Sequence, residues 1–258
     1  MNDAQAGSPS VAGFAMGSAT DTAITVAGET LVLLPERAAW WPRARTLLVA
    51  DVHLGKSATF RRHGLPVPAG STDENLGRLD ACLQRYPARR LLCLGDLTHA
   101  AAGHTDRLLA RLAAWRGQHP GLAIELVRGN HDRHAGVPAT LQLQVHDDVL
   151  AEPPFLFCHD LHEPQLRAPQ LHAPLLRDPA PTRDGYRLAG HVHPGVLLEA
   201  HGDKLRLPCF LFGEREGLLP AFGAFTGLHV VSPGNGDACY PVTPERVFGP
   251  LPVQGVRP

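Results

Sequence analysis

The sequence has little of what membrane, secreted or disulfide-built proteins need. None of its apolar runs is long enough to cross a bilayer, which excludes a helical membrane span. Its five cysteines (Cys82, Cys93, Cys158, Cys209 and Cys239) are odd in number, scattered, and never at C-x-x-C spacing. That argues against a disulfide framework and against a thiolate zinc site, and for a reducing compartment. Charge of one sign is also missing. A net charge of -1 over 258 residues gives no overall basicity to attract nucleic acid, although a local basic patch survives such averaging. The N-terminal stretch is rich in Ala, Gly and Ser and has neither the basic start nor the apolar core of a signal peptide. Residues 1–20 therefore read as a disordered tail and 21–258 as one cytoplasmic domain without a membrane partner.

What the chain does have is a 44% apolar content, enough for a substantial core, and 15 histidines. Short apolar runs recur: "ITV" and "TLVLLP" around Ala27-Gly28-Glu29, then "TLLVA", "RLLCL", "AIELV", "PFLFC" and "YRLAG". The last five are strand-length and rich in Leu, Val and Phe, as strands covered on both faces should be. Between them, "STDENLGRLDACLQRY" predicts a helix opened by a Ser71–Glu74 capping box, with Leu76, Leu79, Leu83 and Tyr86 on one face. "TDRLLARLAAWRGQ" predicts another, with Leu108, Leu109, Leu112 and Trp115 turned inward and Gly117 as its stop. This alternation is an α/β unit with parallel strands. Beyond residue 186 the helical spacing fades, which points to a second, more antiparallel sheet packed on the first.

The ends of the strands carry the chemistry. After "TLLVA" comes Asp51-Val52-His53; after "RLLCL", Gly95-Asp96 with His99 close behind; after "AIELVR", Gly129-Asn130-His131-Asp132. "PFLFC" is followed by His159-Asp160, and "YRLA" by Gly190-His191-Val192-His193. Open α/β sheets gather ligands beyond the carboxyl ends of their strands. In an extended chain residues i and i+2 share a side, so Asp51 with His53, and His191 with His193, would each aim two ligands at one place. Oxygen and imidazole donors without thiolate suit Mn²⁺, Fe²⁺ or Zn²⁺. His63, His119, His146, His172, His201 and His229 lie outside this pattern and read as solvated surface.

The ordered blocks D-x-H, G-D, G-N-H-D, H and G-H-x-H resemble the calcineurin-like metallophosphoesterase superfamily across residues 51–193. The resemblance implies an α/β fold, a four-layer α/β/β/α sandwich of two mixed sheets flanked by helices, holding two divalent ions. Asp51, His53 and His193 would hold one, Asn130, His159 and His191 the other, and Asp96 would bridge both. His162, three residues after His159, is the alternative in its block. Two such ions make hydroxide available from a bridging water at neutral pH and draw charge from the phosphoryl oxygens. His131 is then placed to give a proton to the leaving oxygen, with Asp132 either orienting its ring or closing the turn.

"FRRHGLPVPAG" and "LPAFGAFTG", with "GDLTHA", further resemble the bacterial ligase-associated DNA-damage-response endonucleases, a subgroup of that superfamily. This implies a Mn²⁺-dependent phosphodiesterase acting on DNA, in association with an ATP-dependent DNA ligase and a helicase. Lys56, Arg61 and Arg62, in a loop past the first metal block and stiffened by Pro66 and Pro68, are candidates with His99 for contacts to substrate. "LPAFGAFTG" itself reads as core strand and turn. A hydrolase of a small nucleotide or pyrophosphate-linked molecule is the rival reading. A non-catalytic scaffold on the same fold is the remote one, since a scaffold needs neither His131 nor a complete ligand set.

Overall fold

The computed structural model of the chain describes residues 20–162, 185–200 and 203–251, and its strands form two stacked mixed sheets. In the first, spatial order follows chain order: β1 (Thr22–Val26), β2 (Glu29–Leu33), β3 (Ala39–Trp41), β4 (Thr46–Val49), β5 (Arg90–Leu94), β6 (Ala123–Val127) and β7 (Gln144–His146). The first four pair antiparallel, and β4 to β7 run parallel. Ala27 and Gly28 both have positive φ (49° and 81°), the pairing a two-residue hairpin turn of matching twist requires.

The second sheet has the order β14 (His229–Val230), β11 (Pro194–Ala200), β12 (Asp203–Phe212), β13 (Glu216–Leu218), β10 (Tyr186–Ala189), β9 (Phe155–Phe157) and β8 (Leu150–Glu152), with β15 (Ala238–Pro241) paired to β12. β9, β10 and β13 are parallel, while β11, β12, β13 and β15 are joined by antiparallel ladders, the change expected after residue 186.

The period of two along each strand sorts the core into layers. Leu47, Val49, Leu91, Cys93, Ile124 and Leu126 face helices α2 (Ser71–Arg85) and α3 (Asp106–Gln118). Leu48, Leu92, Leu94 and Val127 face the other way, against Phe155, Phe157, Leu188 and Phe210 of the second sheet. Trp41 closes that inter-sheet layer edge-on to Phe155, with ring centroids 5.0 Å apart. The strands of the parallel unit are thus apolar on both faces because both are covered.

Four local expectations give way. α2 has no capping box: Gly70, at φ 108°, is its N-cap, and the Ser71 hydroxyl bonds Ser57 Oγ at 2.9 Å instead. Gly117 does not stop α3, which is capped at its start by Thr105 and runs on to Gln118. The segment read as a basic loop is helix α1 (Lys56–Arg62), and Asn130–Ala135 forms helix α4. His119 and His146 are half-buried against Asp80 and Glu125 (2.8 Å each), not solvated surface. His63 and His229 are exposed. His172, His201 and the expected tail at residues 1–19 lie outside the described residues.

Trp115 ties α3 to both the core and α2, being 1% exposed with its indole N–H donated to Asp80 at 2.7 Å. Trp115→Ala is expected to cost about 3–5 kcal/mol, read as a lower urea midpoint at unchanged slope. A loss within error of zero would show that α3 contributes nothing to the cooperative unit.

Candidate metal centre

β4, β5 and β6 lie side by side and parallel in the first sheet, and β9 and β10 in the second, so five carboxyl ends open at one edge of the sandwich. Backbone bonding continues past the strands: Asp51 N–H donates to Gly95 O (3.0 Å), His53 N–H to Asp96 O (2.9 Å) and Gly190 N–H to His159 O (3.1 Å). The two sheets are stitched here by Asp51, whose Oδ2 accepts from the His191 backbone N–H at 2.9 Å.

The ligand loops are not extended. Of nine non-glycine residues with positive φ among those described, five are Asp51, His53, Asp96, His191 and His193, with φ between 51° and 66°. This region is sterically costly for side-chain-bearing residues and survives only where surrounding contacts enforce it. Asp51 and His53 do reach one place, as expected, but on left-handed backbone and not by strand alternation. His191 and His193 part company: His193 gathers with Asp51 and His53, and His191 with Asp96 and His159.

The glycines of the G-D, G-N-H-D and G-H-x-H blocks have a shared cause. A Cβ on Gly95 would fall 2.0 Å from His159 Nδ1, on Gly129 2.2 Å from Asp96 Oδ1, and on Gly190 2.6 Å from Asp51 Oδ2. Each glycine makes room for a candidate ligand from another strand, in two of the three cases one of the opposite sheet.

The donor set fits a cation. A carbonyl can only accept, so the 3.0 Å contact of His159 Nδ1 with Leu94 O places a hydrogen on Nδ1, and in the neutral ring Nε2 keeps its lone pair. That nitrogen faces Asn130 Oδ1 at 3.0 Å, His191 Nδ1 at 3.0 Å and Asp96 Oδ1 at 3.5 Å. A proton on either imidazole would satisfy only some of these contacts; a cation satisfies all of them. In the other group His193 Nε2 lies 3.4 Å from both His53 Nε2 and Asp51 Oδ1, and Asp51 Oδ1 is buried without a hydrogen-bond donor. Burial, followed by the nearby Lys56 charge, pushes His53 far below the usual imidazole range, so its ring is neutral. Burial pushes the Asp96 carboxyl up, against the pull of His159. Asp51, His53, Asp96 and His159 form a buried floor, whereas Asn130 and His191 are exposed at the mouth.

His162 is not part of this arrangement, being exposed and bonded to Asp160. His131 stands beside it: its backbone N–H donates to Asp96 Oδ1 at 2.9 Å, and its ring Nδ1 donates to the His99 carbonyl at 2.8 Å. Its Nε2 is thereby free, 3.9 Å from Asp96 Oδ2. His99 stacks on the His131 ring at 4.6 Å, and burial lowers the His99 pKa to about 4. Asp132 does not orient the His131 ring. Its carboxylate accepts from Gly129 N–H (3.0 Å), Thr98 N–H (2.9 Å) and Thr98 Oγ1 (3.1 Å), closing the turn.

The cations of α1 separate. Lys56 is half-buried, with its pKa lowered by burial and held up by the charges of Asp51 and Asp96. Arg61 lies on another face, bonded to the Pro68 carbonyl at 3.1 Å, and Arg62 is exposed.

Sequence reasoning missed the bracing around the D-x-H loop. Asn75 of α2 donates to Val52 O and accepts from Ala224 N–H (2.8 Å each), and Gly223 N–H donates to Asp51 O at 3.0 Å. "LPAFGAFTG" is thus a strap behind the first block, with Phe222 buried under the Arg78 guanidinium. A buried amide inside the apolar face of a predicted helix was the available signal.

No protein-family model and no curated protein matches the chain. Among solved structures, nuclease MPE of Pseudomonas putida is similar at 38% identity and a TM-score of 0.69, over 88% of this chain and 98% of that one.

A divalent ion at about a hundred times its Kd should stabilise the fold by about 2.7 kcal/mol. Gly129→Ala, which displaces Asp96, should lose most of that gain, while Gly117→Ala, with open space around its Cβ, should keep it. Thermal melting with and without Mn²⁺ checks this. An equal gain in both variants would mean that ion binding does not need Asp96 in its present place.

Proposed function

The chain belongs to the bacterial DNA-damage-response endonuclease family of calcineurin-like metallophosphoesterases and is an enzyme of that class, and we propose that it hydrolyses phosphodiester bonds in DNA during repair. The observation that carries this reading is the crowding of acceptor atoms around His159 Nε2, which calls for a cation beside an open mouth. In it, Asp51, His53 and His193 hold one divalent ion, Asn130, His159 and His191 the second, and Asp96 lies between. Mn²⁺ is the proposed metal. When bound, such ions lower the pKa of a coordinated water and withdraw charge from phosphoryl oxygens.

The remaining steps fall to the side chains. His131 acts as general acid: with Nδ1–H committed to the His99 carbonyl, Nε2 is the atom that gives its proton to the leaving oxygen. His99 is a positioning residue, fixing that ring by carbonyl and stacking. Lys56 supplies a cation for non-bridging oxygens. Association with an ATP-dependent DNA ligase and a helicase, in the cytoplasm, belongs to the same proposal. A small nucleotide or pyrophosphate-linked substrate is the competing reading, favoured by the near-neutral net charge.

His131→Ala should lose roughly 10²–10⁴-fold in kcat on DNA while still binding both ions. The loss should shrink on a nitrophenyl diester, whose leaving oxygen needs no proton. Equal losses on both substrates would remove His131 as the acid. Mn²⁺-loaded protein that hydrolyses the nitrophenyl diester but leaves DNA intact would overturn the DNA reading.

A further inference from the structure

A second cluster of cations lies across α1 from the metal centre. On α1, Phe60 packs with its ring centroid 5.8 Å from that of His99, on the side of the metal centre. Ser57 and Arg61, one turn apart, line a cleft on the other side. Its remaining walls come from the start of α2, with Gly70 and Thr72, and from α3, with Arg107 and Arg111. The cleft encloses about 90 Å³, about three times the volume share of one water in the liquid, which is ~30 Å³.

Its charges do not balance. Three guanidiniums meet a single carboxylate, Asp73, which is engaged by Arg111 at 2.7 Å. Arg61 donates to the neutral Pro68 carbonyl, and among the described residues no carboxylate pairs with Arg61 or Arg107. Arg107 and Arg111 are one turn apart on α3, where like charges repel, and α1 adds a third charge opposite them. An anion relieves that repulsion, and guanidinium donors match phosphate oxygens in geometry as well as charge. The floor of the cleft is Gly55, two residues past His53. Their Cα atoms are therefore at most about 7.6 Å apart, so one extended ligand can reach both places.

We propose that Arg61, Arg107 and Arg111 bind a backbone phosphate of a polynucleotide strand while a neighbouring diester of the same strand occupies the metal centre. The proposal rests on the phosphodiesterase reading above and deepens it. The enzyme would be built for polymeric substrate, with α1 as the ridge over which the strand passes. A dinucleotide cannot use the cleft, whereas a longer strand gains it.

The test is the double variant R107A/R111A, read in two ways. Equilibrium binding of a labelled series from dinucleotide to hexadecamer, to metal-free protein in EDTA, is followed by fluorescence anisotropy across a salt titration. Cleavage by Mn²⁺-loaded protein gives the ratio of kcat/KM on the hexadecamer to that on the dinucleotide. Removing charge-assisted bonds should weaken hexadecamer binding roughly tenfold or more, and lower the salt slope by about 0.7–0.9 for each phosphate that is no longer neutralised. The kcat/KM ratio should fall to a similar extent. If the wild type binds and cleaves the hexadecamer and the variant matches it in affinity, slope and ratio, the cleft is ordinary surface and the proposal is overturned. If the wild type hydrolyses a nitrophenyl diester but neither binds nor cleaves any member of the series, the polynucleotide reading itself fails.

Discussion

The structure turns on one electrostatic constraint: donor atoms from different strands are gathered at distances that one shared cation satisfies together. His159 Nε2 has Asn130, His191 and Asp96 atoms at 3.0–3.5 Å, with its own hydrogen already committed to Leu94. Left to themselves these groups repel, and several sit on backbone that side chains avoid. Such an arrangement persists because the rest of the chain enforces it, and the enforcement can be traced. Asp51 bonds the His191 backbone across the two sheets, Asn75 and Gly223 hold the Asp51–Val52 carbonyls, and Asp132 clamps Gly129 to Thr98.

That bracing follows from topology. Parallel neighbours β4, β5 and β6 must all end at the same edge, and β9 and β10 bring a second such edge against it once the inter-sheet core of Leu48, Leu92, Phe155 and Phe157 is packed. The packing sets the separation of the edges, and the three glycines at 95, 129 and 190 let the loops interlock at that separation without a Cβ between them. Apolar burial, costing nothing in specificity for ions, is thus what positions the polar groups.

Most of this was legible because its cause is local. The five strands announce themselves by doubly apolar runs, and their polar termini stand out against them; His159, not His162, is the residue the fold gathers in, as its place at the strand end suggested. What was not legible depends on non-local contacts. Ser71 has no capping role because the helix starts one residue earlier than expected, with Gly70 as its cap, and the Ser71 hydroxyl turns to Ser57, fourteen residues away. The helical nature of Lys56–Arg62 is set by Thr59 and Gly55 packing against Gly103, not by apolar periodicity in seven residues. Left-handed ligand loops cannot be read from Asp and His alone, since both residue types sit mostly at negative φ and only neighbouring contacts hold them elsewhere.

The division of the centre into a buried floor and an exposed rim has a chemical consequence. Asp51, His53, Asp96 and His159 are nearly without solvent, so their charge and lone pairs act in a medium of low polarity where a cation is held strongly. Asn130 and His191 are open, and neither carries a negative charge that would repel an incoming phosphate. Both carboxylates of the set are thus kept beneath, compensated by whatever cation they hold, and at the mouth the Asp160 carboxylate lies 3.9 Å from His191 Nε2. His131 stands beside that rim, its Nδ1 held by the His99 carbonyl and its Nε2 3.9 Å from Asp96 Oδ2.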